Sequence, residues 1–284
     1  MKLPRTITRA VFLPVLLLVV VAASACGRAE STSLHNSISI PRITRPAAIL
    51  PKDRVVGDHL VTFDETNLAG KLPPARPVQA ITRGNPELKR VAITIDDGWN
   101  ADMRILELLK EWEIKWTAFL IGGRGIAESN PDLVRAVRDA GAEVCNHTYS
   151  HYVMSGKDNA FVVDELWRAQ EAITSVTHEI YPYTRFSGGA YDDTSLQWAA
   201  DQGFWMVNWT VSSGDTSKGV TVDFQVNNIL GNLQPGAIIL FHFGGYNTYE
   251  VLSRVIPEIQ RRGYEVTSLS RVLEGTPFVL NESE

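Results

Sequence analysis

From about Leu88 onward, short continuous apolar runs alternate with stretches in which apolar residues recur every three to four positions. The first pattern is that of buried strands and the second that of helices with one packed face. Arg90–Ile95 reads as a strand, followed by a helix over 101–112 that puts Ile105, Leu108, Leu109 and Trp112 on one side. Trp116–Ile121 is the next strand. A helix then starts at Asn130 as cap with Pro131 in its first turn, and ends before Gly141. Further strands are expected at Glu143–Asn146, Tyr183–Ser187, Phe204–Val211, Ala237–Phe241 and Tyr264–Ser268. Helices fall between them at Asn159–Thr177, Thr194–Gln202, Asp223–Leu230 and Thr248–Arg262. About seven βα repeats imply a parallel sheet. The expected fold is a short, irregular (β/α)7-type barrel, because an eight-fold one takes about 250 residues.

Before Leu88 the texture is different. Residues 26–86 are rich in Ser, Thr, Pro and Arg and show no sustained period, which predicts an extended tether. A short strand around His59–Phe63 is the one element expected there. Residues 1–25 read as an export leader, with basic Lys2, Arg5 and Arg9, an apolar Ala10–Val21 and small Ala23-Ser24-Ala25. The apolar run is too short to span a membrane comfortably. Ala23-Ser24-Ala25-Cys26 resembles a bacterial lipobox, which implies lipidation of Cys26 and a membrane anchor outside the cytoplasm. Plain secretion after Ala25 is the alternative. The organisation expected is leader 1–25, tether 26–86, βα domain 87–276 and tail 277–284.

Composition narrows the function. A hydrophobic share of 44% suffices for a sizeable core. Removing the leader takes away three basic and no acidic side chains, so the formal charge moves from −5 to −8. An acidic domain has no electrostatic footprint for nucleic acid, and that partner is excluded. Of the two cysteines, Cys145 reads as a small buried hydrophobe. With Cys26 lipidated, no disulfide forms within the chain. The domain is expected to act as a monomer.

The chemistry concentrates where strands end. Thr94-Ile95-Asp96-Asp97-Gly98-Trp99 closes the first strand on two adjacent carboxylates, at the edge where α/β proteins handle ligands. A solvated Asp-Gly turn is the plainer alternative. His147-Thr148-Tyr149-Ser150-His151 follows the third strand, and histidines four apart can converge on one ion from a helical turn. His242 ends the strand Ala237–Phe241, so three of the six histidines sit at strand ends. Two histidines and a carboxylate make a three-ligand catalytic metal site with open positions. Zinc suits hydrolysis, although the same ligands serve non-haem iron.

Ile93-Thr94-Ile95-Asp96-Asp97-Gly98 resembles the TFDDG signature of the polysaccharide deacetylases, the NodB-homology domains of carbohydrate esterase family 4. His147–His151 resembles their H-[ST]-x-x-H motif and Leu240-Phe241-His242 their Leu-x-His. Ile256–Ile259 through Gly263–Val266 is similar to the family's last helix and strand. The resemblance spans about residues 88–275 and implies Asp96 as general base, with Asp97, His147 and His151 as ligands to a divalent metal, Zn2+. It implies Arg185 as the arginine orienting the base and His242 as the acid that protonates the leaving amine. It also implies an oxyanion donor in the glycine-containing loop after Arg185, at Gly188 and Gly189. Two motifs depart from the family. Ser187 stands in a proline's place in Arg185-Phe186-Ser187-Gly188-Gly189. In Trp209–Thr216, Ser212 replaces an expected aspartate and Thr216 a tryptophan, leaving Asp215 to orient His242.

Aromatic side chains near the strand ends, Trp99, Tyr149, Tyr191, Trp209 and Tyr246, are candidates to stack on sugars, with Tyr191 and Trp209 foremost. The function implied is removal of N-acetyl groups from an extracytoplasmic polysaccharide, peptidoglycan or a chitin-like glycan, with release of acetate. The rivals are a weakly active or inactive glycan-binding protein of the same fold, motivated by Ser212, and an O-acetyl esterase of the xylan type.

Overall fold

The computed structural model describes residues 79–276 and the backbone of two short strands, β1 (Arg54–Val56) and β2 (His59–Val61), which pair antiparallel. The leader, Cys26, most of the tether and the tail at 277–284 lie outside the described residues.

The βα domain begins with β3 (Arg90–Asp97), α1 (Met103–Glu111), β4 (Trp116–Leu120), α2 (Pro131–Asp139), β5 (Ala142–Asn146) and α3 (Asn159–Thr177). It continues through β6 (Tyr183–Thr184), a single 3₁₀ turn (Ser187–Gly189), α4 (Asp193–Asp201), β7 (Trp205–Met206) and β8 (Val211–Ser212). Then come α5 (Val222–Gly231), β9 (Ala237–His242), α6 (Thr248–Arg261), β10 (Glu265–Thr267) and α7 (Leu269–Leu273). Side-chain caps start five of these helices, at Asp102, Asn130, Asp158, Asp192 and Thr221.

All eight domain strands run parallel, in the order β7-β6-β5-β4-β3-β9-β8, and β10 pairs with the first residues of β3. Parallel pairing aligns the C-terminal ends of these strands on one rim. β7 and β8 are the two ends of the sheet, and 81–84 laces the gap between them: Ile81 bridges Val207 and Arg83 bridges Ala237. The short, irregular βα barrel expected from the repeats is what forms, as a half-barrel of parallel strands with helices. Described residues before 87 also pack into the domain, since Ile81 is buried within it. Composition missed this because 79–86 contributes isolated bridges and not a periodic run.

The stretch expected as one strand at Phe204–Val211 is two. Between β7 and β8, the carbonyls of Val207 and Asn208 accept hydrogen bonds from Arg185 Nε and Nη2 (both 2.9 Å). Carbonyls committed to that guanidinium are lost to the strand ladder.

Alternation along β3 sorts its side chains. Val91, Ile93 and Ile95 join the large core under the helices. Thr94 and Asp96 face the concave side and meet Arg185 there. Phe119, Cys145, Tyr183 and Ile238 fill that side below them. Burial pushes the Cys145 thiol well up, as a structural cysteine requires. At the floor, buried Glu143 accepts from the Ser268 hydroxyl (2.7 Å), the Thr117 hydroxyl (3.2 Å) and the Ser270 N–H (3.1 Å), fastening α7 beneath the sheet.

Candidate active site

Asp97 ends β3 at φ +78° and Gly98 follows at φ +115°, so the chain turns sharply out of the sheet. Left-handed backbone at an aspartate is strained and is held only where the surroundings over-determine it. His147 and His151 come from the loop after β5. Thr148 (φ +62°) and His151 (φ +58°) are also left-handed, so the pair converges through an irregular loop and not the helical turn expected from its spacing. Asp97 Oδ1 lies 3.3 Å from His147 Nε2 and 3.2 Å from His151 Nε2.

His147 Nδ1 is 2.7 Å from the Arg185 carbonyl. A carbonyl only accepts, so Nδ1 carries the proton and the lone pair of Nε2 faces Asp97. Asp97 Oδ1 is buried and has no hydrogen-bond partner among the described residues. A buried carboxylate oxygen without a donor is costly. Its neighbours are imidazole nitrogens, and the three ligand atoms lie within 4.8 Å of one another. Burial pushes the Asp97 carboxyl up, but protons on the two facing imidazoles, whose place a cation at the triad would take, outweigh it and hold the acid well below the usual carboxylate range. An ionised oxygen and two neutral ring nitrogens fit a divalent cation and leave positions open for other ligands. Asp97, His147 and His151 are the residues that would hold it.

Glu165 secures the histidine loop. It is buried on α3 and accepts from the backbone N–H of Tyr149 (3.0 Å) and of Ser150 (2.7 Å). The sequence carries a trace of it, an acid among Val162, Leu166 and Ala169 on the helix's packed face.

Two charged groups flank the triad. Asp96, 2% exposed, accepts from Arg185 Nη1 at 2.7 Å, and its Oδ2 is 3.8 Å from His147 Nε2. Arg185 is fully buried; Nη1 also donates to the Thr94 hydroxyl (2.9 Å), and the guanidinium carbon lies 4.2 Å from the Phe119 ring centroid. With its fork fixed on four acceptors, Arg185 holds Asp96 in one orientation.

His242 stands opposite Asp96 in the β3–β9 register. Its Nδ1 bonds Asp215 Oδ1 (2.8 Å), its backbone N–H donates to Oδ2 (2.7 Å), and the Thr248 hydroxyl donates to the same oxygen (3.0 Å). Asp215 is fully buried. Burial pulls the His242 pKa down, but the Asp215 hydrogen bond and the carboxylates of Asp96 and Asp97 outweigh it and leave the imidazole above its ordinary value. Ser212, in the missing aspartate's place, is turned to structural use. Its carbonyl accepts from Asn228 (2.7 Å) and its hydroxyl from the Gly214 N–H (3.3 Å). Thr248 gave no sequence signal.

The turn after Arg185 packs against the segment between β7 and β8, where the Asn208 amide donates to the Gly189 carbonyl (3.2 Å). Gly188 (φ +64°) and Gly189 (φ +66°) are both left-handed. A Cβ on Gly189 would sit 2.7 Å from the Trp209 ring, so Trp209 packs the turn in place. Tyr191 and Tyr246 are exposed. Tyr149 is occupied, with its hydroxyl on Glu128 and Arg168 over its ring. Trp99 sets its ring edge-on to His151 at 5.2 Å between centroids.

A buried carboxylate, an imidazole held by a second carboxylate and a cation-ready triad on one rim are groups that hydrolysis of an acyl bond can use. Comparison with known proteins agrees. The polysaccharide deacetylase model matches residues 83–207. A peptidoglycan-N-acetylglucosamine deacetylase of Bacillus cereus is 31% identical over 190 residues, covering 65% of this chain and 68% of that one. A chitooligosaccharide deacetylase of Bradyrhizobium is 31% identical over 217 residues, covering 69% and 97%. Among solved structures, a family 4 pseudoenzyme of Bacillus anthracis superposes with a TM-score of 0.65 at 30% identity, covering 72% of this chain and 70% of that one. The chain belongs to the polysaccharide deacetylase family, carbohydrate esterase family 4.

Proposed function

We propose that this glycan deacetylase removes N-acetyl groups from an extracytoplasmic polysaccharide, with peptidoglycan first, using Zn2+ held by Asp97, His147 and His151. The observation that carries the reading is the orphaned Asp97 Oδ1 facing two histidine nitrogens, with a positioned base and acid on either side. When bound, the cation supplies Lewis acidity towards the acetyl carbonyl and the attacking water. Asp96, fixed by Arg185, takes the proton from that water. The backbone of the Ser187–Gly189 turn lines the place where the oxyanion develops, and donors there lower the barrier most effectively. His242, its Nδ1 engaged by Asp215, offers Nε2 to the departing nitrogen and delivers the proton that the amine needs to leave. Free amine and acetate result.

The leader and the Cys26 motif support action outside the cytoplasm from a lipid anchor, close to the cell wall. The relatives' substrates, N-acetylglucosamine in peptidoglycan and chito-oligosaccharides, support an N-acetyl sugar. Similarity to a pseudoenzyme revives the rival of an inactive binding protein. Against it, Asp96, Asp97, His147, His151, Arg185 and His242 are all present, and Asp215 orients His242 without help from Ser212. The test is acetate release by Zn2+-loaded protein from N-acetyl chito-oligosaccharides, peptidoglycan and O-acetylated xylan. Release from the first two, lost in His242→Ala, is expected. Release from xylan alone would make the protein an esterase, and glycan binding with no acetate a binding protein.

A further inference from the structure

We infer that the rim beside His151 carries a subsite for a carboxylate on the substrate, read by Arg124. The inference rests on the deacetylase reading and specifies its substrate as an acidic glycan.

Ten of the twelve described arginines form ion pairs with carboxylates; Arg83 and Arg124 do not. Arg83 donates to the carbonyl of Pro235, below the start of β9 and away from the ligand rim. Arg124 stands on that rim, in the loop after β4, at φ +52°. Its Nε donates to the Ser150 carbonyl in the histidine loop, and its guanidinium carbon lies 5.2 Å from the Tyr152 ring centroid. Among the described residues, its Nη1 and Nη2 have no hydrogen-bond acceptor. Lys157 Nζ lies 6.0 Å from the same ring and also has no carboxylate partner among the described residues.

Nearby acids have other partners. Asp132, itself on the cleft wall, pairs with Arg135, Glu128 takes the Tyr149 hydroxyl, and Asp192 takes the Gly156 N–H and the Ser155 hydroxyl. Two cations are thus left unpaired beside the site of an otherwise acidic chain. A guanidinium anchored at Nε with both Nη groups open is preorganised for bidentate capture of a carboxylate.

There is room for the group. A cleft of about 520 Å³ runs from Trp99 along Arg124, with Asn100 and Asn130 at its sides and Ile126 and Leu133 as apolar lining. Trp99 is the ring against His151, so the cleft opens next to the triad. That volume lies within the range of small-ligand sites. A neutral chitin-like chain offers hydroxyl and amide oxygens to an arginine but no carboxylate for bidentate, charge-assisted capture. Peptidoglycan offers two sources: the lactyl carboxylate of peptide-free muramic acid, or the carboxylates of a stem peptide.

The test uses Zn2+-loaded full chain and three oligomers of equal length: chito-oligosaccharide, peptide-free glycan with free lactyl groups, and the same glycan bearing stem peptides. Wild type should prefer at least one acidic oligomer over the neutral one, and which one identifies the carboxylate. Arg124→Gln should lower that kcat/KM ratio about five- to tenfold, the scale of one partly exposed charged hydrogen bond. Lys157→Gln, which leaves the Ser150 tie intact, should lower it in the same direction. Added KCl should lower it in wild type, since exposed charge pairs are screened. A ratio unmoved by Arg124→Gln and by salt would overturn the subsite while deacetylation stood. Should no oligomer yield acetate, the deacetylase reading fails. Calorimetric binding of the acidic oligomers to wild type and Arg124→Gln then decides the subsite by itself, equal affinity refuting it.

Discussion

Exchange of Asp215 for asparagine separates charge from shape on the acid side of the site. The native carboxylate is fully buried and accepts three hydrogen bonds, two of them from His242. The amide keeps the volume but loses the charge, and its NH2 must face one of those donors. A carboxylate hydrogen-bonded to an imidazolium favours its protonated form, and His242 lies above its ordinary value for that reason. The sign follows: the alkaline fall in rate lies above the pH at which a free imidazole would put it. In the variant the fall moves to lower pH. At a pH above both limbs, kcat/KM then drops about 10- to 100-fold, the worth of one hydrogen bond to a charged group. Acetate release measured across pH with saturating Zn2+ reads this directly. An alkaline limb that does not move would refute the assignment of His242 as the acid tuned by Asp215.

Three other substitutions probe the supports. Arg185→Met leaves Asp96 buried without its counter-ion and the Val207 and Asn208 carbonyls without donors; a loss of about 3–5 kcal/mol by urea unfolding is expected. Gly189→Ala places a Cβ 2.7 Å from Trp209 at positive φ and should cut activity strongly, whereas Gly188→Ala meets nothing within 4 Å. The latter should cost only about 1 kcal/mol of backbone strain in thermal unfolding. Glu165→Ala frees the Tyr149 and Ser150 amides behind His151 and should weaken Zn2+ binding about 10- to 100-fold by calorimetric titration.

Much of this arrangement was legible from strand ends. Apolar runs closing on Asp96-Asp97, His147 and His242 put those groups on one rim once the sheet was known to be parallel. Helix boundaries with strong punctuation, such as Asn130-Pro131 and Gly141, fell within a residue or two of the observed ends. What escaped reading depends on long-range contact. The break between β7 and β8 exists because Arg185 claims the carbonyls of Val207 and Asn208, some twenty residues later in the chain. The i,i+4 histidines suggested a helical turn, yet Thr148 and His151 are left-handed because Glu165, from a different element, holds the loop amides. Thr248 is an ordinary threonine in sequence, and only the return of α6 beneath β9 brings it to Asp215. Residues 79–86 look like linker because their pairing is confined to single bridges.

The proposed hydrolysis turns on whether Asp97, His147 and His151 share a cation. Titration of Zn2+ into chelator-treated protein, followed by calorimetry, tests this most directly. One site per chain, abolished in Asp97→Ala and accompanied by recovery of acetate release, is the predicted result. Binding of equal affinity in Asp97→Ala, or full activity in protein stripped of metal, would contradict it.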